Sequence, residues 1–126
     1  MVDSILSAII CMTATVWLEA RGEGPDAMAA VSDTIMVRTA RRNQSPCEVV
    51  NAQGQYATGD VNLEYMDEIE REAYDVARHV STLAYFGYGL GIDADHFHRY
   101  DVTPHWADDF TVVGRIGSHI FYDSQD

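Results

Sequence analysis

Residues 16–25 read VWLEARGEGP, a stretch in which one helical pattern ends and another begins. Gly22 and Gly24 interrupt the first pattern, because glycine weakens a helix and is common just beyond its end. Pro25 follows at once and suits the first turn of a new helix, where its missing N–H is not needed. The stretch therefore predicts two helices joined by a short loop, with Glu19 near the junction.

The helix before this junction has a regular apolar pattern. Its apolar positions recur at spacings of four, three and four, at Ile5, Ile9, Met12 and Val16. Such spacing predicts one buried face, and Ser4 is suited to cap the start of the helix. Glu19 is the next position on the same stripe. We therefore expect its side chain to point inward at the end of the first helix.

The rest of the chain predicts several shorter elements and one long helix. A turn of helix is expected at 46–50, the longest helix at 64–85, and strand-like pieces at 97–100 and 119–122. The predicted buried stripe of the long helix comprises Met66, Ile69, Ala73, Val76, Ala77, Val80 and Leu83. A chain of 126 residues without repeats is the size of one domain. We predict a single, mostly helical α+β domain over residues 1–126.

The charge of the chain limits its partners. The formal net charge is −12, and phosphate contacts need the Lys and Arg side chains that are scarce here, so we expect no nucleic-acid partner. The apolar run 5–18 lacks the basic start of a signal peptide and is short for a bilayer span. We therefore expect no signal peptide and no stable membrane insertion.

Two cysteines, Cys11 and Cys47, exclude a framework of several disulfides but allow one bridge. Cys11 falls inside the apolar run of the first helix, where a free cysteine behaves as a small core residue. This placement favours two free thiols.

Glu19 is the strongest candidate for acid–base chemistry. The C-terminal end of a helix has partial negative charge, and apolar neighbours disfavour ionisation, so both effects keep a carboxyl protonated. A protonated carboxyl in a cleft can donate its proton to a glycosidic oxygen. Arg21 would oppose this if it paired directly with Glu19. The alternative is a solvated glutamate at a helix end.

Glu23 is a candidate second carboxylate, because many glycosidases use two. It can equally bond backbone N–H groups at the start of the second helix, where negative charge is stabilised. We favour the second role.

Four histidines, His96, His98, His105 and His119, raise the question of a metal. On a strand, the spacing of two would place His96 and His98 on one face. No H-E-x-x-H or C-x-x-C motif accompanies them. We expect histidines that bond within the fold or face solvent, and we predict neither a metal nor a cofactor.

Aromatic residues cluster in the C-terminal part of the chain. They include Phe97, Tyr100, Trp106, Phe121 and Tyr122, and Tyr56 lies further upstream. Such rings can contact the apolar faces of sugars, although core packing is expected for at least half of them.

Beyond these local patterns, several short segments match the motifs of one known family in their order along the chain. Residues 16–23, VWLEARGE, are similar to an E-A-R-G-E signature, and Ala30, Val31 and Arg38 match an A-V-A-x-V-x-x-N-R segment. Residues 47–50 (CEVV) and 53–56 (QGQY) resemble C-x-V-V and G-Q-F segments, and the blocks Y-H, V-x-P-x-W-A and I-G-N-H-x-F-Y have counterparts at 97–98, 102–107 and 116–122. Together these segments resemble the spore-cortex-lytic, SleB-like cell-wall hydrolases.

This resemblance implies a lysozyme-like fold and cleavage of peptidoglycan between N-acetylmuramic acid and N-acetylglucosamine. It implies that Glu19 is the catalytic acid and that the enzyme is a lytic transglycosylase. Separately from the resemblance, we expect the chain to be a monomer. Candidate supporting or substrate-binding residues are Glu23, Gln55, Tyr56, Phe97, His98, Trp106 and Tyr122. The chain departs from the family where Val37 replaces an asparagine and Tyr56 a phenylalanine, which affects substrate preference more than reaction class.

Three alternatives stay open. In a lysozyme-type hydrolase, water would attack and Glu23 or Asp60 would assist. In a zinc amidase, the histidines would hold the metal and the muramoyl–alanine bond would be cut. The third is a non-catalytic wall-binding module. Without a signal peptide, the chain is expected to be a phage endolysin or a virion-associated enzyme that reaches the wall by other means. A truncated or separately exported bacterial enzyme is the alternative.

Overall fold

The computed structural model describes residues 2–52, 54–57 and 59–125, which form helices followed by a small sheet. The helices are α1 (Ile5–Ala20), α2 (Pro25–Arg42), α3 (Pro46–Asn51) and α4 (Glu68–Tyr85). The strands are β1 (His96–Arg99), β2 (Thr111–Ile116) and β3 (His119–Asp123). The mostly helical α+β class is thus confirmed.

The helix boundaries follow from local capping. Ser4 accepts a hydrogen bond from the Ser7 N–H at 3.0 Å, and Pro25 opens α2 after Gly24, whose φ of 92° few other residues adopt. The fourth helix begins later than the predicted residue 64. Its true start is the capping box of Asp67 and Glu70, and residues 63–65 form a separate 3-10 turn.

On α1 and α4 the predicted buried stripes are correct in the middle, but some of their apolar residues near the helix ends are exposed. Met12 and Val16 are fully buried, but the Ile5 side chain is 54% exposed. Apolar residues occupy neighbouring faces of the first turns of α1, so periodicity alone could not select the buried one. On α4, Ile69 is 77% exposed. Small residues, Ala77, Ser81 and Ala84, are buried where α4 packs against α1 and α2.

The sheet is antiparallel with the order β1-β3-β2. Two strands agree closely with the predicted pieces, whereas β2 was not predicted. It is an exposed edge strand with an irregularity between Val112 and Gly114, so it lacks the clear alternation of a half-buried strand. None of the described helices has the length and apolarity needed to cross a membrane.

The expectation of two free thiols is wrong, because Cys11 and Cys47 form a disulfide. Cys11 lies on the partly exposed face of α1 that contacts α3, and packing of the two helices brings the Cα atoms within 5.3 Å. This separation is ordinary for a disulfide. The bridge joins α1 to the short helix that leads into the loop containing Gln55.

Candidate active site

A cleft of about 390 Å³ lies where the end of α1, the last turns of α2 and strand β1 meet two loops. The described residues that line it are Glu19, Arg38, Gly54, Gln55, His96, Phe97, His98, Val102, Pro104, His105 and Trp106. Five of the predicted site residues are among them: Glu19, Gln55, Phe97, His98 and Trp106.

Glu19 lies in the last turn of α1 and is half-buried at the cleft. Its Oε1 accepts a hydrogen bond from the Ala57 N–H at 2.9 Å. Burial raises the pKa of this carboxyl above its usual value, and the Ala57 N–H and the positive charge of Arg38 oppose that shift only in part. The site therefore favours a protonated Glu19.

Arg21 does not pair with Glu19 in this arrangement. Its guanidinium lies over the Trp17 ring, 4.4 Å from the centroid, and its Nη1 is 3.7 Å from Glu70 Oε2. The positive charge of Arg21 is therefore not paired with the Glu19 carboxyl, where it would have favoured the ionised form.

Arg38 is a cleft residue that the sequence analysis did not predict as part of the site. Its side chain is buried, with Nε donating to the Asp95 carbonyl at 2.6 Å and Nη1 donating to Gln55 Oε1 at 3.0 Å. Its guanidinium also lies 4.7 Å from the centre of the Tyr56 ring. A signal was present, because Arg38 is three positions after the buried Ile35 and so continues the inward stripe of α2.

Gln55 and Tyr56 are adjacent in sequence but have different positions in the site. Gln55 lines the cleft, whereas Tyr56 is buried beneath it. The Tyr56 hydroxyl is 3.1 Å from Thr34 Oγ1, and its ring is 5.9 Å from the Phe97 ring. Tyr56 thus lies beneath the cleft and contacts Arg38 and Phe97, two of the residues that line it.

His98, Tyr122 and Trp106 form an aromatic wall. The His98 Nδ1 lies 2.6 Å from the Arg99 carbonyl, which can only accept, so this nitrogen holds the proton. In the neutral ring the Nε2 then accepts from the Tyr122 hydroxyl, 2.8 Å away. The Trp106 ring centre is 5.2 Å from that of Tyr122. His98 and Trp106 line the cleft, whereas Tyr122 is the buried member of this wall and does not line the cleft.

Glu23 lies outside the cleft lining and holds the β2–β3 turn. Its Oε1 accepts a hydrogen bond from the Ser118 N–H, and the Ser118 backbone and hydroxyl lower the pKa of Glu23. The expected bond to backbone at the start of α2 is replaced by this contact with a distant turn. Buried His119 is close by, with its Nδ1 3.7 Å from the Glu23 carboxylate, and burial lowers the pKa of His119.

His96 and His98 both lie on β1, and both rings contact the Trp106 ring, so they share one face of the strand, as a spacing of two implies. His96 Nδ1 is 3.0 Å from the Asp95 carboxylate, and hydrogen bonds from His96 and Ser124 hold the pKa of Asp95 well below its usual value despite its burial. Within residues 2–52, 54–57 and 59–125, no three histidine, cysteine, aspartate or glutamate side chains lie together as metal ligands would.

Comparison with known proteins identifies a family and a fold. The sequence profile of the family described as Cell Wall Hydrolase matches residues 22–122. No curated protein matches the chain. The chain is similar to the catalytic domain of the germination-specific lytic transglycosylase SleB from Bacillus anthracis, with a TM-score of 0.74 and 23% identity over 92% of this chain and 93% of that one. It is also similar to the catalytic domain of the Bacillus cereus SleB protein, with a TM-score of 0.73 and 22% identity over 94% of this chain and 91% of that one.

Proposed function

Since this chain belongs to the family of cell wall hydrolases, we propose that it degrades peptidoglycan by cutting the glycosidic bond between N-acetylmuramic acid and N-acetylglucosamine. We further propose that it acts as a lytic transglycosylase with Glu19 as its catalytic residue. The SleB protein of Bacillus anthracis, whose catalytic domain has the same fold, is described as a lytic transglycosylase. The family match begins at residue 22, so the role of Glu19 rests on its geometry.

The observation that supports this role most directly is the environment of the Glu19 carboxyl. It is half-buried at the end of α1, opens on the cleft, and has a pKa raised by burial. A general acid must retain its proton until the leaving group needs it. The partly buried position of Glu19 meets that requirement, and no direct ion pair with Arg21 or Arg38 removes the proton.

The reaction proceeds in two steps. Glu19 donates its proton to the glycosidic oxygen as the bond from that oxygen to the muramoyl C1 breaks, and the glucosamine product leaves with a hydroxyl. The Glu19 carboxylate then takes the proton from the muramoyl C6 hydroxyl while that oxygen bonds to C1. The product is a 1,6-anhydro sugar, and Glu19 regains its proton.

The make-up of the cleft favours this route over hydrolysis. Two-carboxylate hydrolysis needs a second acidic group facing the same bond. Among the described residues of the lining, Glu19 is the one carboxylate, and Glu23 is engaged by Ser118 outside it. An internal hydroxyl as nucleophile removes the need for a second carboxylate.

Mass spectrometry of digested peptidoglycan tests the proposal. We expect muramoyl products that are lighter by one water molecule than reducing-end products. Reducing-end muramic acid would indicate hydrolysis, and release of free stem peptides would indicate an amidase. Glu19→Gln should yield no anhydro product, whereas Glu72→Gln, the same change on the exposed face of α4, should match the parent.

A further inference from the structure

The charge of the cleft differs from that of the rest of the molecule. The chain has 20 acidic residues and 8 lysines and arginines. In the described lining of the cleft, Glu19 is accompanied by Arg38 and by His96, His98 and His105. A cleft with a fixed cation and few carboxylates, on so acidic a protein, is suited to an anionic ligand.

Arg38 is the fixed cation, and it lacks an acidic partner within the described residues. No carboxylate there lies within 4.0 Å of its guanidinium nitrogens, although the side chain is only 3% exposed. Arg41, on the same helix and more exposed, pairs with Asp93, Asp95 and Asp123. A buried cation is costly unless something compensates its charge. Arg38 therefore has an unused capacity for an anion.

The guanidinium is also held in a fixed orientation. Nε and one N–H of Nη1 are occupied by the Asp95 carbonyl and Gln55, and the Tyr56 ring lies against one face. The other three N–H groups have no partner in the described part of the chain. A planar guanidinium with free N–H groups matches the two oxygens of a carboxylate, and holding it in place lowers the entropic cost of binding.

We propose that Arg38 binds a carboxylate on the side chain of the muramoyl residue, and that this contact selects the sugar whose C1 is attacked. The inference rests on the function proposed above. The muramoyl side chain is attached at C3 of the ring that contains the scissile C1. Its carboxylate comes either from the lactyl group, where no stem peptide is attached, or from the stem peptide itself. A carboxylate at Arg38 would place the same ring in the cleft beside Glu19.

Binding of this carboxylate also has a consequence for the acid. Arg38 favours the ionised form of Glu19, because the two groups attract each other. A ligand carboxylate at Arg38 neutralises that attraction and adds a second negative charge near Glu19. Substrate would therefore strengthen the protonation of Glu19 at the moment when the proton is needed.

The unmodified enzyme provides the first test, with three forms of one glycan. They are strands with intact stem peptides, strands freed of peptide by an amidase, and freed strands whose lactyl carboxylates are converted to methylamides. We call the freed strands with unmodified lactyl carboxylates the acid form. Their kcat/KM should exceed that of the methylamidated strands by about tenfold or more, as for a hydrogen bond to a charged group. If only the peptide-bearing strands exceed the methylamide, the peptide supplies the carboxylate and the proposal holds. Equal rates on all three would overturn it and leave the proposed function intact, whereas no cleavage of any strand would overturn both.

Variants provide a second test. Gln55→Glu places a carboxylate against Arg38 Nη1 at an exposed, nearly isosteric position, and it should abolish the preference for the acid form. Arg38→Lys, which keeps the charge but loses the planar fork, should reduce the preference, and its folding is checked by thermal melting. Arg78→Gln, which removes an exposed arginine on α4, should leave the preference unchanged. A Gln55→Glu protein with the full preference would contradict the proposal.

Discussion

The Oε1 atom of Glu19 accepts a hydrogen bond from the Ala57 N–H at 2.9 Å, which joins the end of α1 to the loop after α3. This bond favours the ionised carboxyl, whereas burial favours the protonated one, and burial is the stronger effect. The hydrogen bond from Ala57 thus holds Glu19 in position, and the oxygen of a protonated carboxyl or of an amide can accept the same bond. Position and protonation can therefore be tested separately.

Replacement of Glu19 by Gln should reduce wall lysis by at least about a hundredfold, because general acid–base catalysis typically contributes that much or more. The amide oxygen can still accept from the Ala57 N–H, so the melting temperature should change little. Turbidity loss of a wall suspension and a thermal melt measure the two effects, with Glu72→Gln as the control. A folded Glu19→Gln protein with nearly the parent rate would remove Glu19 from the mechanism.

The raised pKa of Glu19 predicts the pH dependence of activity and of stability. The folded protein binds this proton more tightly than the unfolded chain does, so the contribution to stability is present below the ordinary value of 4.5 and is lost as pH rises through the raised pKa. The free energy of unfolding of Glu19→Gln should therefore increase relative to that of the parent as pH rises from acid to neutral. Lytic activity should fall as pH rises through the pKa of Glu19, because the carboxyl then loses the proton that it must donate. A constant difference between the two proteins over this range would show that the pKa is not raised.

Glu23→Gln should destabilise the protein at neutral pH and leave partial activity. The bond from the Ser118 N–H to a carboxylate becomes a weaker bond to an amide, with an expected loss of about 1 kcal/mol. Because the pKa of Glu23 is lowered, this contribution is present above the ordinary value of 4.5 and is lost as pH falls through the folded-state pKa. Urea unfolding at neutral and acid pH measures it. Complete loss of lysis in a stable Glu23→Gln protein would instead assign the acid role to Glu23.

Loss of the Cys11–Cys47 disulfide should lower the free energy of unfolding. The two cysteines are 36 positions apart, and the closure of such a loop contributes about 4 kcal/mol. Denaturant unfolding of the oxidised protein and of the Cys11→Ala, Cys47→Ala double variant gives the difference. A thiol assay in denaturant should find no free thiol before reduction and two afterwards. Two free thiols in the unreduced protein would contradict the bridge.

Gly89→Ala should destabilise the segment between α4 and β1. A Cβ at Gly89 would overlap the carboxylate of Asp33, which is buried and accepts the Ile92 N–H at 3.0 Å. The expected loss is about 2 kcal/mol in the free energy of unfolding. Gly22→Ala is the matched control, because among the described residues no atom beyond its two chain neighbours lies within 4 Å of the added Cβ. Equal effects of the two substitutions would mean that Asp33 moves aside without cost.

Many features of the helices and of the acid could be predicted from the sequence because they depend on residues close together in the chain. Ser4 bonds a backbone N–H three positions on, and Pro25 needs only its own fixed φ to open α2. The position of Glu19 at the end of α1 followed from the apolar pattern before it and the glycines after it. The family signature around Glu19 is likewise a short, continuous segment.

The surroundings of that acid were decided by the tertiary structure. Arg38 donates to a carbonyl 57 positions away, and Glu23 accepts from a backbone N–H 95 positions away. The pairing of Cys11 with Cys47 likewise required the packing of α1 on α3. Such proximities result from the summed burial of many side chains, not from any property of the two residues that meet. The sequence by itself could therefore determine which residue is the acid candidate, whereas only the folded chain decided which charges and hydrogen bonds surround it.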